Sequence, residues 1–456
     1  MLSFYRITKV VIVMKKKINI DVKQKRQLLK LLNINSVEEI DKTVLKKLKE
    51  DLKELTDSRQ KGKKIYKIWD IVMCVILASF SNCYTWDDVV DFVKSKYSFI
   101  RQFLKMTGGI PSPITYERVF SIIDSSELEK ILTSFLLNVT RVKSFENDII
   151  SFDGRIDKGS SRKLSSIDKE NIIPLNCLNA YSTKYSLCIA SEKIGEKSNE
   201  IPALPLLIER INVTGATLVW DALNSQKDTI EAAVNAGADY VAALKGNQGT
   251  FFEDVKKYFD EKRREIIIAG NSKSQYKVVY EKSHSCCIKY EYFQTTDIDW
   301  YYDKDGWMGF KSIGLVKKTI ETMEVVTIEK KEGKKKIKEK VKQPKIIIEE
   351  RFYFSSLDLD IDFFAKAKRN EWHIENKLHW HLDVTFREDK NTTANKNALF
   401  NLQLVNKFVL GILEKVKQFY NNISLRRIIN NISLNYENEF INIICYLLLS
   451  QYKTPA

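Results

Sequence analysis

The pattern of hydrophobic and polar positions along the chain changes near residue 148. From about 24 to 142, apolar residues recur every three or four positions with basic residues between them, as in Gln24–Leu32 and Ile68–Phe80. This spacing predicts amphipathic and buried helices. A Gly-Gly-Ile-Pro turn at 108–111 should end one helix, and Ser126 should cap another over Glu127–Val142. The amino-terminal part is therefore predicted to be entirely helical, either as a DNA-binding module or as a cap that packs on the core.

Beyond residue 148 the chain alternates strand-like and helical patterns. Short runs rich in β-branched and aromatic residues predict strands at 148–153, 172–181, 185–192, 216–221 and 239–244, and helical spacing occurs at about 200–212 and 225–236. Three successive strands followed by strand, helix and strand is the order of a ribonuclease H-like sheet, in which the first and fourth strands are neighbours. The predicted fold class is α/β, with a ribonuclease H-like mixed sheet core and a β-rich insertion, preceded by an all-helical N-terminal domain.

These changes of pattern also give the predicted domain boundaries. We expect a helical N-terminal extension at 1–63, a helical DNA-binding or associated domain at 64–147, the mixed core at 148–395 and C-terminal helices at 396–456. The insertion, at about 264–357, has strand patterns at Tyr276–Tyr280, Cys286–Phe293 and Ile346–Phe354. Its lysine-rich hairpin tip around Gly333 fits a solvated loop better than a phosphate contact. Apolar residues from Leu399 to Val409 predict a helix that packs on the core.

Composition adds a partner class and a compartment. The chain has 456 residues, 44% of them apolar, and a net charge of +15, which favours a polyanionic partner, with nucleic acid before membrane. Its seven cysteines include no Cys-x-x-Cys pair and predict reduced thiols, with neither a disulfide framework nor a zinc site. No apolar run approaches the roughly 20 residues of a membrane span, and Val10–Val13 is too short for a signal peptide. A cytoplasmic protein without a membrane partner is expected.

Three acidic residues far apart in sequence are the main candidates for chemistry. Asp153 and Asp221 each end an apolar strand run, and Glu375 lies in a segment, 363–380, with helical spacing. Ligands bind at the carboxyl ends of strands in open α/β sheets, and one strand-end aspartate alone is more often a turn residue. Together the three carboxylates are predicted to hold two Mg²⁺ (or Mn²⁺) ions for phosphodiester chemistry.

Histidines close to Glu375 offer a second source of chemistry. His373, His379 and His381 crowd this segment, and Glu375, His379 and Asp383 follow each other at intervals of four, which would place them on one helical face. A zinc hydrolase is the alternative, but His-Glu-x-x-His is absent and no cysteine completes a ligand set. Phosphate contacts, or hydrogen bonds that orient the carboxylates, are the favoured roles of the histidines.

Several sequence blocks, in order from about 64 to 430, resemble the H-repeat-associated insertion-sequence transposases (the ISAs group, in the IS-Four-like superfamily). The last block is the most specific. The blocks are Gly109–Ser112, Phe152–Arg155, Glu196–Ile201, Val219–Leu223, Tyr240–Gln248 and Trp372–Phe386.

The resemblance implies a DDE transposase that moves a DNA element bounded by inverted repeats. It implies that Asp153, Asp221 and Glu375 are the catalytic, metal-binding triad, with two divalent ions. Its partners would be double-stranded DNA, as element ends and target, bound by a homodimer at the nucleoid of a bacterial-type cytoplasm. We expect DNA contacts from Arg155, Lys158, Lys245, Asn247, Gln248, Arg369, Asn376 and His379, and a supporting hydrogen bond from Asp383.

This chain departs from the family pattern at three positions. Arg155 stands where lysine is usual, Lys158 where arginine is usual, and Glu371 replaces a histidine one turn before Glu375. The first two keep positive charge near the expected scissile phosphate, although arginine and lysine are not equivalent donors. Two alternatives stay open: a metal-dependent nuclease on the same fold, and an inactive DNA-binding relic of a transposase.

Overall fold

A computed structural model describes residues 46–60, 62, 64–163, 171–172, 174–195, 198–269, 272–283, 286–332 and 335–452. The helix predicted at Gln24–Leu32 and the hairpin tip at Gly333 lie outside these residues.

Helices precede, connect and follow the strands. The α-helices are α1 (Lys46–Lys53), α2 (Ile68–Ser79), α3 (Trp86–Ser95), α4 (Tyr97–Ile100), α5 (Pro113–Ile122), α6 (Ser125–Thr140), α7 (Glu200–Arg210), α8 (Lys227–Asn235), α9 (Thr250–Ala269), α10 (Ile361–Glu371), α11 (Lys396–Val416), α12 (Leu425–Leu434) and α13 (Tyr436–Tyr452).

The strands are β1 (Ile149–Asp157), β2 (Arg162–Lys163), β3 (Asn171–Ile172), β4 (Leu175–Ser182), β5 (Leu187–Ile194), β6 (Thr217–Trp220), β7 (Asp239–Leu244), β8 (Ser274–Ser283), β9 (Cys286–Thr295), β10 (Ser312–Glu332) and β11 (Lys335–Ser355). Except for β2 and β3, which pair with each other, these strands belong to one large mixed sheet.

The contacts divide the chain into two units. The first unit contains the described residues up to 144, 153–199 and those from 373 onward, and the second contains 145–152 and 200–372. These units follow from packing, and the predicted domain boundaries stay predictions.

Helix α11 forms the centre of the first unit. It is buried along nearly its whole length and packs against α2, α5, α6 and β5. The rings of Phe135 and Phe408 lie 5.8 Å apart, and the Tyr436 hydroxyl donates to the carbonyl of Leu77. The amino-terminal helices therefore share one hydrophobic core with the carboxy-terminal ones. The predicted helix over Leu399–Val409 is confirmed.

The amino-terminal helices begin and end close to their predicted limits. Helix α2 confirms the buried helix predicted at Ile68–Phe80, since every residue but Trp69 is buried. The predicted cap of α6 was wrong. Asp124, not Ser126, is the N-cap, because its carboxylate accepts the backbone N–H groups of Ser126 and Glu127, and a carboxylate suits the positive end of the helix dipole.

The strands of the first unit form an antiparallel hairpin beside β1. Strands β4 and β5 pair with Asn176 opposite Ile194 and shift register between Ala180 and Tyr181. Strand β4 also neighbours β1. This hairpin order agrees with the three successive strands predicted from the sequence.

In the second unit, the first four residues of β1 belong to a set of three adjacent parallel strands, β1, β6 and β7. Ile149 pairs with Thr217 of β6, and Thr217 pairs with Asp239 of β7, both in parallel. Strand β6 is buried at all four positions, as expected for a parallel strand covered on both faces. The predicted neighbourhood of the first and fourth long strands is confirmed.

Antiparallel strands complete the sheet of the second unit. Strand β11 pairs with β7 and β10, β10 with β9, and β9 with β8. The β-rich character predicted for the insertion is thereby confirmed. Helix α9 continues to Ala269, so strand structure starts later than the predicted limit near 264. Phe364 of α10 packs with buried residues of β1, β6, β7 and β11 in one hydrophobic cluster.

The helix predicted over 363–380 is only partly correct. Helix α10 ends at Glu371, and the chain continues as π-helical turns at Ile374–His379 and His381–Thr385. Wide turns of this kind are rare and occur often at functional sites.

In the part of the chain that the structure describes, no helix is long and apolar enough to cross a membrane.

Candidate active site

One face of strand β1 carries three charged side chains of the first unit. Asp153, Arg155 and Asp157 alternate along the strand, and successive alternate residues of a strand point to the same face. Each of the three contacts a residue from the carboxy-terminal part of the chain.

Asp153 is held beside a buried histidine. The Nδ1 atom of His379 lies 3.5 Å from Oδ2 of Asp153, and the other ring nitrogen lies 3.3 Å from the amide nitrogen of Asn179. Burial lowers the pKa of His379 to about 3, and the positive charges of Arg155 and Lys407 add to the effect. The imidazole is therefore neutral near pH 7 and is suited to orienting a carboxylate. This geometry is compatible with the orienting role that the sequence suggested for this histidine, whereas its burial differs from the DNA contact that was also expected of it.

Arg155 is buried and paired with two carboxylates. Its Nη2 atom donates to Asp383 at 2.6 Å and its Nη1 atom to Glu388 at 2.6 Å. The Arg155 side chain is only 5% exposed and is bound to carboxylates, which differs from the phosphate contact predicted for it. Asp383 accepts hydrogen bonds from this guanidinium, and its expected supporting role at the site stays a prediction. Glu388 is buried and lies just beyond the Trp372–Phe386 block, so no sequence pattern identified it.

Asp157 and Glu388 are buried close to each other. Gln403 donates to Asp157 at 2.7 Å, and Asn406 donates to Glu388 at 2.9 Å. Burial raises the pKa of Asp157 to about 7, and the charge of Glu388 adds to this rise. Burial also raises the pKa of Glu388, against the effect of Arg155. The face of β1 next to Asp153 is thus fixed by a buried polar network.

Glu375 lies on a π-helical turn, and its side chain is exposed. Its neighbours Ile374 and Leu378 are buried and anchor the turn. The predicted α-helical face through Glu375, His379 and Asp383 is replaced by these wider turns. Two of the three side chains nevertheless contact the same strand, because His379 faces Asp153 and Asp383 binds Arg155. Asn376 is exposed, as a DNA contact requires.

In the second unit, Asp221 directly follows β6 and caps a short 3₁₀ turn. Its Oδ1 atom accepts the side-chain amide of Asn224 at 3.0 Å, and the same amide donates to Glu200 at 3.0 Å. Burial raises the pKa of Glu200, and the charge of Asp221 adds to it, whereas the Asn224 hydrogen bond opposes it. Glu200 belongs to one of the quoted blocks, but its sequence position gave no sign of this pairing.

The loop after β7 supports the turn that carries Asp221. The amides of Asn247 and Gln248 both donate to the carbonyl of Ala222 at 2.9 Å. Asn247 and Gln248 were expected to contact DNA, whereas in the structure their side-chain N–H groups bind the Ala222 carbonyl. Lys245, the first residue of this loop, is exposed.

Two further predicted DNA contacts are exposed on their own units. Lys158 lies in a 3₁₀ turn of the first unit. In the second unit, Arg369 is exposed, forms an ion pair with Glu281 and lies 5.5 Å from the ring centre of Tyr290.

The spacing of possible donor side chains bears on metal binding. Among the described residues, no group of three or more His, Cys, Asp or Glu side chains is close enough together to hold a metal ion. The donor chemistry at Asp153, Asp221 and Glu375 nonetheless fits Mg²⁺, which takes only one or two carboxylates and fills its other positions with water and substrate phosphate.

Comparison with known proteins defines the class. Residues 144–406 match the model of the transposase DDE domain, and residues 49–136 match the DDE_Tnp_1-associated domain. The chain therefore belongs to the transposase DDE domain family, and the resemblance noted in the sequence is confirmed.

Individual relatives agree with this assignment. The chain is similar to the H repeat-associated putative transposase YhhI of Escherichia coli (strain K12), with 31% identity over 389 residues, 82% of this chain and 92% of that protein. It is also similar to the inactive transposase YbfQ of the same strain, with 36% identity over 77 residues, which are 17% of this chain and 92% of that protein. A cryo-EM structure of the piggyBac transposase synaptic complex with hairpin DNA aligns with 89% of this chain and 79% of that one, at 10% identity. Its TM-score of 0.36 is too low to define a shared fold.

Proposed function

We propose that this protein is an active DNA transposase that cleaves the ends of an insertion sequence and joins them to target DNA. The observation that carries the proposal is the parallel register of β1 and β6, in which Ser151 pairs with Val219. Asp153 and Asp221 each follow that pair by two residues in the sequence. This is the arrangement expected of the two aspartates in a ribonuclease H-like core, which we infer for this chain.

Asp153, Asp221 and Glu375 are the proposed metal ligands. They would hold two Mg²⁺ or Mn²⁺ ions, which would supply activation of the attacking oxygen and stabilisation of the leaving oxygen in a displacement at phosphorus. The chain's own residues orient the carboxylates. His379 faces Asp153, and Asn224 donates to Asp221.

Exposed basic residues are the proposed phosphate contacts. Lys158, Lys245 and Arg369 are exposed, and each can neutralise a phosphate without reading a base. Because such contacts release counterions, DNA affinity should fall as the salt concentration rises.

The test is a cleavage and strand-transfer assay on labelled element ends in Mg²⁺. Asp153→Asn, Asp221→Asn and Glu375→Gln should each abolish cleavage and leave binding of the ends nearly unchanged. Asp228→Asn is the matched control, since Asp228 is an exposed carboxylate on α8 and loses the same charge. Cleavage near the wild-type rate in any of the three variants would show that the residue is wrongly assigned. Cleavage without transfer by the wild type would favour the nuclease, and binding alone the relic.

Recognition of the end sequence is assigned to the amino-terminal helices. Helix α5 exposes Arg118 between Ile114 and Ile122, which are 60% and 40% exposed, and residues four apart share one helix face. Arginine pairs with guanine in the major groove, and apolar side chains contact thymine methyl groups.

These helices share a core with α11, so the test uses full-length variants in place of truncations. Arg118→Ala should lower the preference for an element end over scrambled DNA at one fixed salt concentration. Lys130→Ala, which removes an exposed charge from α6, should leave that preference unchanged. If Arg118→Ala and Lys130→Ala show the same preference for an element end over scrambled DNA, α5 does not read the sequence.

We further infer that two copies act together in the cytoplasm, at the nucleoid, when both ends of one element are held. Mass photometry with and without paired element ends tests this stoichiometry. A single copy bound to each separate end under cleavage conditions would contradict it.

A further inference from the structure

A chain of buried polar side chains leads to Asp153 within the first unit. The Nζ atom of Lys407 donates to the Ser191 hydroxyl at 2.9 Å, and that hydroxyl lies 3.0 Å from the side-chain oxygen of Asn179. The Asn179 amide nitrogen then lies 3.3 Å from Nε2 of His379. The remaining ring nitrogen of His379, Nδ1, lies 3.5 Å from Asp153. The first four of these residues are buried.

The ammonium group of Lys407 determines which atom donates and which accepts at each step of this hydrogen-bonded series. A lysine ammonium group has donors and no acceptor, so the Ser191 oxygen must accept from Lys407. The Ser191 hydrogen is then directed to the oxygen of Asn179. The NH₂ group of Asn179 therefore faces the imidazole, and Nε2 of His379 must accept. A neutral imidazole that accepts at Nε2 carries its proton on Nδ1.

We propose that Lys407, Ser191 and Asn179 are positioning residues that fix the tautomer of His379, so that its Nδ1–H faces Asp153. This orientation presents a donor to the carboxylate. The opposite tautomer would place a nitrogen lone pair against it. The part of the proposal that concerns catalysis rests on the proposed role of Asp153, whereas the tautomer itself does not.

The tautomer is measured on the full-length protein without DNA or metal. Nitrogen-15 spectra of the imidazole rings separate the two neutral tautomers, and the chain has four histidines. In Asp153→Ala the carboxylate is gone, so only the buried chain can favour Nδ1–H at His379. We expect Nδ1–H to persist in this variant. A change to the Nε2–H form, which free imidazole favours in water, would overturn the proposal, because Asp153 itself would then set the tautomer.

Further variants test whether the buried residues Asn179 and Lys407 set the tautomer of His379. In the Asp153→Ala background, Asn179→Leu and Lys407→Met should each reduce the Nδ1–H population at His379. Lys193→Met is the matched control, since Lys193 and Lys407 both lie near the ring of Phe400 but Lys193 donates to Asn397. Unchanged His373 and His381 signals confirm that each variant is folded. Retention of Nδ1–H at His379 in both Asn179→Leu and Lys407→Met would overturn the proposal.

Cleavage supplies an independent test. Loss of a group that orients a metal ligand costs about 10–100-fold in activity or metal affinity, and we expect this fall in the cleavage rate of Asn179→Leu, with unchanged binding of DNA ends. His379→Asn should retain more activity than His379→Gln, because the asparagine amide can replace Nδ1–H, whereas the glutamine amide corresponds to Nε2. Equal loss in both variants would contradict a tautomer role in catalysis. A wild-type protein that binds but never cleaves would refute the proposed function, and the spectra would still decide the tautomer.

Discussion

Replacement of Arg155 by methionine should destabilise the first unit strongly. The change removes a cation that donates at 2.6 Å both to Glu388 and to Asp383. The Glu388 side chain is only 3% exposed and would be left without its ion-pair partner, whereas Asp383 is 36% exposed and can be solvated. Loss of one partner from a buried ion pair costs about 3–5 kcal/mol. At about 2–4 °C per kcal/mol for a unit of 150–250 residues, this corresponds to a fall in Tm of about 6–20 °C.

Thermal unfolding followed by circular dichroism measures this change. Lys158→Met is the control, because it removes an exposed positive charge three residues further along and should change stability by less than about 0.5 kcal/mol. Adding Glu388→Gln to Arg155→Met should recover much of the loss, since no uncompensated charge remains and the amide oxygen can still accept from Asn406. A Tm for Arg155→Met within about 2 °C of wild type would refute the structural role and return Arg155 to the candidate DNA contacts.

Three further changes test other parts of the protein. Glu200→Gln removes the carboxylate that shares an amide with Asp221, and cleavage should fall about 10-fold or more; an unchanged rate would show that Asp221 is oriented without it. The pKa of Asp157 is raised from 3.8 to about 7 by burial and a neighbouring carboxylate, so its stabilising proton is retained at low pH and lost as pH rises through about 7. Relative to Asp157→Asn, the wild type should therefore lose free energy of unfolding between about pH 4 and 8 in urea titrations, and parallel pH profiles would contradict this. Gly314→Ala places a methyl group against the buried ring of Phe364 and should cost about 1–3 kcal/mol; a Tm equal to wild type would show that the ring can move.

The sequence by itself located most helices and strands, because hydrophobic periodicity is a local property of the chain. The buried helix α2, the hairpin of β4 and β5, and the neighbouring strands β1 and β6 were all predicted from spacing and order. The family was also evident from the sequence, since its blocks occur in order along the chain. Asp153 and Asp221 were selected in the same way, as acids at the ends of apolar runs.

Only the tertiary structure decided which partner each polar side chain has. Arg155 and Asp383 are 228 residues apart in sequence, and nothing local distinguishes a buried arginine that pairs with carboxylates from one that binds phosphate. Lys407 lies within an apolar helical pattern, and its role depends on Ser191, which is 216 residues away. The π-helical turns around Glu375 likewise depend on how Ile374 and Leu378 are buried. Hydrogen bonds and ion pairs depend on distances of a few ångströms between side chains, and for residues so far apart the folded backbone alone determines those distances.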